Sequence, residues 1–302
     1  MLTARPRDVQ AVRPGRPGGE KAPCGKTPHN GTPMRPPGSG PPRPLPVALA
    51  LVVTALGVAA MIQAPFVAQR LGLALGLRSQ VALGTVCLAA PALLALAARP
   101  AAWGSVLGSA NVTPRTAALS ALLGAALWVG SIGLMEMQSL LMPPAPEYLE
   151  MFRKLHAALR PATPADALVS LLVIAALPAL CEELAMRGVL LPSLAVRTGP
   201  GLAVCLTAGA FGLIHFDIIR AGFTVVLGLA LGALRVRTAS LWPSVIVHMT
   251  LNALTFAIAP LVDDPSQPYT PQPALGLACL VAGTAAAWPL LRALRAAAAP
   301  RA

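Results

Sequence analysis

Long apolar runs separated by short polar segments dominate the pattern of this chain. A transmembrane helix needs roughly 20 mostly apolar residues, and eight runs approach or reach that length. We predict helices at about 47–67, 80–98, 117–137, 166–191, 200–216, 221–236, 241–262 and 273–295. The fifth and sixth runs are short and closely spaced. The stretch 147–160 mixes charged residues with Leu, Met and Phe, which is typical of an amphipathic helix at the membrane interface.

The composition supports a polytopic membrane protein. Hydrophobic residues make up 56% of the 302 positions and charged residues only 11%, whereas soluble domains carry about 25% charged residues. These figures argue against a soluble enzyme and against disorder over most of the chain. The five cysteines are odd in number and lie mostly in apolar runs, so they do not suggest a disulfide framework. We therefore predict an all-α, polytopic transmembrane helix bundle of about eight spans.

The charge distribution bears on partners and topology. The net charge is +12, but the arginines lie mainly in short segments between apolar runs, and aromatic residues are few. This pattern favours contacts with the lipid bilayer over binding to nucleic acid. The excess of Arg and Lys in the N-terminal tail and alternate loops predicts a cytoplasmic N-terminus. Abundant Ala, Arg, Pro and Gly are typical of a high-GC bacterial chain, so we expect the bacterial inner membrane.

Ionisable side chains inside the apolar runs cluster in the second half of the chain. Each costs roughly 2.5–3.5 kcal/mol at the centre of a bilayer on insertion scales, so such residues mark function by default. The polar residues that stand out in the fourth, fifth and seventh runs are Glu182, Glu183, Arg187, His215, His248 and Asn252.

The spacing of these residues makes the clusters coherent. Glu183 and Arg187 are four residues apart, so one helix face can hold an internal ion pair. Glu182 projects about 100° from Glu183, so it is free to face a different neighbour. His248 and Asn252 also lie one turn apart on a single face. These groups are tolerated in a membrane only if they point into the bundle and meet each other or water.

Two chemistries fit these residue types. A carboxylate in apolar surroundings can act as a general base toward water, and a His with an Asn can stabilise an oxyanion. Alternatively, Glu182, His215 and His248 could bind a divalent metal such as zinc with an open fourth position. Each cluster alone is also typical of structural contacts between helices. Three such clusters gathered in three runs favour a functional site.

The order of the motifs resembles a known family. The patterns EExxxR, FxxxH and HxxxN stand here as Glu182-Glu183-x-x-x-Arg187, Phe211-x-x-x-His215 and His248-x-x-x-Asn252. They are similar to those of the CPBP family of intramembrane proteases, also called the CAAX-protease and bacteriocin-processing or Abi family. The resemblance covers roughly 165–260. It implies an all-helical bundle with a polar cavity inside the membrane and hydrolysis of a peptide bond.

The resemblance also implies roles for these residues. Glu182 would activate water with the help of His215, and His248 and Asn252 would form the oxyanion site. Glu183 and Arg187 would support that geometry. Members of the family are described both as metalloproteases and as metal-free, glutamate-based enzymes, so the cofactor is either none or a divalent metal. Eukaryotic members cut prenylated CAAX proteins, but such a substrate is a poor default expectation for a bacterial chain.

These inferences divide the chain into four parts. They are a disordered basic Pro/Gly-rich tail at 1–45, N-terminal transmembrane helices with the interfacial helix at 46–160, a catalytic core at 161–262 and a last helix with the C-terminal end at 263–302. The expected partner is a membrane-associated protein or peptide substrate. The alternatives are a non-catalytic immunity or scaffold protein of the same fold and a proton-coupled transporter. A transporter would show internal repeats, which the sequence lacks.

The predicted topology contains one conflict. Simple alternation of spans places His215 near the outer end of the fifth run and His248 near the inner start of the seventh. Two such residues would lie roughly 30 Å apart. We therefore expect the short fifth and sixth runs to be tilted, bent or re-entrant, which would bring the two histidines together.

Overall fold

The computed structural model describes residues 43–108, 112–262 and 270–298. The predicted tail at 1–45 lies outside these residues except for its last three positions. Within the described ranges the regular elements are all helices, which confirms the predicted fold class. They are α1 (Val47–Arg70), α2 (Leu77–Ala97), α3 (Trp103–Leu107), α4 (Pro114–Leu141), α5 (Pro146–Leu159), α6 (Pro164–Thr198), α7 (Pro200–Leu213), α8 (Ile218–Thr238), α9 (Trp242–Val262) and α10 (Pro273–Ala298).

The helix boundaries follow from local sequence signals. Five of the helices begin with proline, whose fixed φ suits a first helical turn and whose missing N–H would have no partner there. Thr113 caps α4 and Thr163 caps α6 by accepting backbone hydrogen bonds through their hydroxyls. Each predicted run corresponds to one helix with boundaries shifted by a few residues. The apolar pattern did not predict the short 3₁₀ helix Pro100–Ala102 or the five-residue α3 that follows it.

The number of full-length spans is smaller than the number of apolar runs. Among the described residues, six helices are long and apolar enough to cross a membrane, namely α1, α2, α4, α6, α8 and α10. The fifth predicted span forms a shorter apolar helix, Pro200–Leu213, and the seventh corresponds to the 21 residues of α9. At about 1.5 Å per residue, the 14 residues of α7 extend only about 21 Å, less than the hydrocarbon thickness of roughly 30 Å.

Helix α6 lies at the centre of the bundle, where it packs against α2 and α9. The pairs α1–α2, α4–α10, α4–α9 and α7–α8 surround it. Glycines allow two of these pairs to approach closely. A Cβ on Gly283 would lie 2.5 Å from the backbone nitrogen of Gly130, and a Cβ on Gly228 would lie 2.9 Å from Cα of Ala208. Small residues at helix contacts are typical of membrane bundles.

The stretch predicted to lie at the membrane interface is helical and forms α5. Its charged residues Glu150 and Lys154 are largely exposed and pair at 3.6 Å, whereas Leu159 is buried. At its far end, Arg78 at the start of α2 pairs with Asp166 at the start of α6. This ion pair joins the N-terminal ends of the two helices just beyond α5.

Candidate active site

The first motif lies where α6 changes its helical winding. Two stretches of α6, Leu172–Ala176 and Leu184–Leu190, are π-helical, and Glu183 is the last residue before the second. Such wider turns are rare and occur frequently at functional sites. Glu183 and Arg187 are both 0% exposed. The guanidinium of Arg187 donates to Oε1 of Glu183 at 2.7 Å, so the predicted internal ion pair is confirmed.

Arg187 has further partners that offset the cost of burying its charge. A second guanidinium nitrogen donates to the backbone carbonyl of Gly228 in α8 at 3.1 Å. The guanidinium carbon lies 4.5 Å from the centre of the Phe211 ring, which gives a cation–π contact. Arg187 thereby links α6, α7 and α8.

The imidazole of His248 lies between two carboxylates. Its Nδ1 is 3.0 Å from Oε1 of Glu183, and its Nε2 is 3.9 Å from Oε2 of Glu182. A carboxylate can only accept a hydrogen bond, so Nδ1 carries a proton and Nε2 faces Glu182. The two carboxylates thus share one neighbour, although the sequence left Glu182 free to face another. Side chains about 100° apart on α6 bracket one ring from α9, because that ring inserts between them.

His215 lies just beyond the end of α7 and approaches the same cluster. Its Nδ1 donates to the carbonyl oxygen of Phe211 at 2.8 Å, which leaves Nε2 free to accept. The Phe211 ring meets the His215 ring edge-to-face at 4.9 Å and the His248 ring at 5.7 Å between centroids. Glu182 and His248 both act electrostatically on His215. The expected convergence of the two histidines is confirmed.

The short α7 explains how the histidines meet. The helix ends after 14 residues, and the chain turns at Phe216 before it enters α8. His248 lies six residues into α9, about 9 Å from its start. His215 thus lies at the end of a helix shorter than a full span, and His248 lies within α9 and not at its start.

Asn252 occupies the next turn of α9 after His248 and is half-buried. Within the described part of the chain, no hydrogen bond to its side chain is found. The amide is thus placed beside the cluster with its donors unused by the protein. An amide with free donors, one turn from an imidazole, can contribute to binding a negatively charged oxygen.

The candidate metal ligands do not form a ligand set as placed. Among the described residues, no three side chains of the His, Cys, Asp or Glu type converge closely enough to hold a metal ion. Glu182 and His248 approach at 3.9 Å, but His215 does not complete a three-ligand group with them. The contacts that the described residues do make are a hydrogen bond between His248 and Glu183 and the approach of His248 to Glu182.

Two groups in this cluster carry contacts that the polar pattern did not single out. Phe211 is 0% exposed and touches Arg187, His215 and His248 through its ring or its carbonyl. Its position four residues before His215 was a usable signal, because residues so spaced share one helix face. The Gly228 carbonyl left no signal in the sequence, because a backbone acceptor is present at every residue.

The comparison with protein families decides the identity of this core. Residues 164–254 match the family described as type II CAAX prenyl endopeptidase Rce1-like. This core, 91 of the 302 residues, is similar to that family of CAAX proteases. The match contains all six predicted site residues, and it confirms the resemblance drawn from the three motifs. No curated protein and no solved structure matches the chain.

The matched segment lies on the helices that build the cluster. The matched segment begins with α6 and ends within α9, so it excludes α1–α5 and α10. The six long apolar helices and the family match fit an integral membrane protein, and the matched family is one of peptidases.

Proposed function

We propose that this protein is an intramembrane endopeptidase that hydrolyses a peptide bond of a membrane-associated protein or peptide by glutamate-activated water. One observation carries the proposal: the chain of contacts from Arg187 through Glu183 to His248 ends opposite the carboxylate of Glu182. A merely structural ion pair would not need a further imidazole and a second carboxylate. The CAAX protease assignment supports the same activity.

Glu182 is the proposed general base. One of its carboxylate oxygens, Oε2, is buried and has no hydrogen-bond partner among the described residues, so it is available to a water molecule. A water that donates one proton to Glu182 and the other to Nε2 of His215 turns its oxygen lone pair toward a bound carbonyl carbon. His215 suits this role because its Nδ1–H is already engaged by Phe211.

His248 and Asn252 are the proposed oxyanion donors. Nδ1–H of His248 is held by Glu183, so a proton on Nε2 would point to the substrate side of the ring. In that state the two carboxylates, the guanidinium and the imidazolium together carry no net charge. A neutral cluster is compatible with burial in a membrane protein, whereas unpaired charges are costly there. Preorganised donors of this kind typically contribute about 10²–10³-fold each.

The proposed reaction conserves its protons. The water oxygen forms a bond to the carbonyl carbon, and Glu182 receives the proton that the water loses. Glu182 then delivers this proton to the amide nitrogen as the carbon–nitrogen bond breaks. The products are a new carboxyl terminus and a new amine, and Glu183 and Arg187 hold His248 in place throughout.

The test is proteolysis by the purified full-length chain in detergent against a library of membrane-peptide substrates. We expect Glu182→Gln to lower the rate by about 10²–10⁴-fold, the range for loss of a general base. Glu136→Gln is the matched control. It makes the same chemical change at a carboxylate of α4 whose Oε2 accepts a hydrogen bond from the backbone N–H of Gln272. His248→Ala should also abolish cleavage, and His156→Ala on α5 should not.

The outcomes separate the alternatives. Cleavage that survives Glu182→Gln would contradict the proposed base. Loss of cleavage upon addition of a chelator, restored by a divalent metal, would instead support a metal-dependent reaction. If folded wild type cleaves nothing but wild type and Glu182→Gln capture one membrane peptide equally, the protein is a partner-binding member of the fold.

A further inference from the structure

The interfacial helix α5 is joined to the turn that carries His215. The hydroxyl of Tyr148 in α5 donates to Oδ2 of Asp217 at 2.7 Å. Nearby, the Arg220 guanidinium lies 5.8 Å from the ring centre of Phe152, which itself contacts the Tyr148 ring at 4.8 Å. Asp217 lies two residues after His215, so a helix outside the matched CAAX protease segment contacts the edge of the cluster.

Asp217 uses its two carboxylate oxygens for different purposes. Oδ1 accepts the backbone N–H groups of Ile219 and Arg220 at 3.0 and 3.2 Å and so caps the start of α8. Oδ2 accepts the hydroxyl of Tyr148. An N-cap alone needs one oxygen, so the contact with Tyr148 is additional to what the helix requires.

The turn between His215 and Asp217 needs this support. Phe216 has a φ of +49°, a left-handed conformation that is unfavourable for a bulky side chain. Its ring is 70% exposed, so packing of the side chain does not account for the conformation. Such strain persists only where the surroundings impose it, and it occurs often at functional sites. The hydrogen bond of His215 to Phe211 holds one side of the turn, and Asp217 holds the other.

We propose that Tyr148 is a positioning residue, which holds the strained turn at Phe216 through Asp217 and thereby sets the position of the His215 imidazole. The expected effect on kcat rests on the proposed function, whereas the expected effect on the position of His215 does not. Burial, followed by the hydrogen bond and the charge of Asp217, raises the pKa of Tyr148 well above that of free tyrosine. The hydroxyl therefore remains a donor throughout the neutral range.

The test compares Tyr148→Phe with wild type in the full-length chain, labelled with ¹⁵N at the histidine rings and held in detergent micelles. The chain has four histidines, so the ring signals can be assigned by single substitutions. We expect the His215 signals to shift in Tyr148→Phe and the His248 signals to stay, because Glu183 holds His248 independently. Cleavage should show a kcat lowered about fivefold, the size expected from the loss of one typical hydrogen bond, with KM unchanged.

Tyr269→Phe is the matched control, since it removes the same hydroxyl from the second of the chain's two tyrosines. Tyr269 lies outside the described residues and outside the matched CAAX protease segment. A second variant keeps the test sharp. Phe216→Gly lets the backbone adopt the left-handed conformation without strain, so adding Tyr148→Phe to it should lower kcat by less than about twofold.

Unchanged His215 signals in Tyr148→Phe would overturn the proposal, whether or not a substrate has been found. Equal effects of Tyr148→Phe and Tyr269→Phe on these signals would also overturn it. If wild type cleaves nothing while the His215 signals shift as expected, the proposed function fails and the positioning contact stands.

Discussion

Two buried arginines in this protein differ in what compensates their charge. Arg187 in α6 is 0% exposed and pairs with the carboxylate of Glu183 at 2.7 Å. Arg235 in α8 is 8% exposed, and its guanidinium donates to the backbone carbonyls of Ser105 at 2.7 Å and Val106 at 3.3 Å. Arg187 therefore pairs with an ionisable side chain, whereas Arg235 bonds to the backbone of the short helix α3.

The difference between the two arginines follows from the groups that each one contacts. The last carbonyls of α3 have no partners within so short a helix, and a cation near a helix C-terminus is favourable. Arg235 therefore docks α3 through backbone acceptors. The ion pair of Arg187 costs desolvation that its attraction barely offsets, so stability alone does not explain it. Because Glu183 also accepts a hydrogen bond from His248, we expect the ion pair to position the His248 imidazole.

The strongest test of this contrast is Arg187→Ala. Removal of the guanidinium leaves the buried Glu183 without its countercharge, which we expect to lower the free energy of unfolding by about 3–5 kcal/mol. His248 should also shift, and a displacement of about 1 Å near the chemistry costs about 100-fold in rate. Equilibrium unfolding in mixed micelles and cleavage by the folded fraction measure the two effects. Unchanged cleavage would contradict a positioning use for this ion pair.

Arg235→Ala should have a smaller effect and only on stability. It removes hydrogen bonds from a charged donor to two carbonyls, worth about 1.5–3 kcal/mol. The folded fraction should keep the wild-type kcat, because the hydrogen bonds of Arg235 go to backbone carbonyls of α3 and not to side chains of the catalytic cluster. The same unfolding and cleavage assays apply, so the two alanine variants form a matched pair. A loss of kcat as large as that in Arg187→Ala would contradict the proposed difference in role between Arg187 and Arg235.

Phe211→Leu tests the ring beneath Arg187. It removes a desolvated cation–π contact, worth about 2 kcal/mol, and the edge contacts to both histidines. We expect a loss of stability of that size together with reduced cleavage. Phe223→Leu in α8 is the control, since Phe223 packs against the core away from these contacts. Equal kcat values for the two variants would argue against a special role for Phe211.

The smallest expected effect concerns pH and the α5 contact. The pKa of Tyr148 is raised above its ordinary value of 10.0, chiefly by burial. The folded state thus holds the Tyr148 proton more tightly than the unfolded state does. The contribution of Tyr148 to the free energy of unfolding is therefore full below pH 10 and decreases as pH rises further. Between about pH 9 and pH 11, Tm of wild type should fall by about 2 °C more than Tm of Tyr148→Phe. If Tm changes equally with pH in wild type and in Tyr148→Phe, the titration of Tyr148 does not affect stability.

Particular residues show how far the sequence could be read. The i,i+4 spacing of Glu183 and Arg187 predicted their ion pair, because a single helix fixes the distance between such positions. The same helical geometry did not identify the neighbour of Glu182, because His248 comes from α9. The convergence of His215 and His248 was expected from the cost of isolated polar groups in a membrane, not from any local spacing.

Periodicity, apolar length and motif order were enough to predict the helices, their approximate ends and the family of the core, because these depend on neighbours along one chain segment. Only the packed bundle shows that His248 lies between two carboxylates, that Gly228 offers its carbonyl to Arg187, and that Tyr148 reaches Asp217. Each of those contacts joins separate helices. Which faces of two helices meet depends on packing over the whole bundle, including the close approach of α7 and α8 at Gly228.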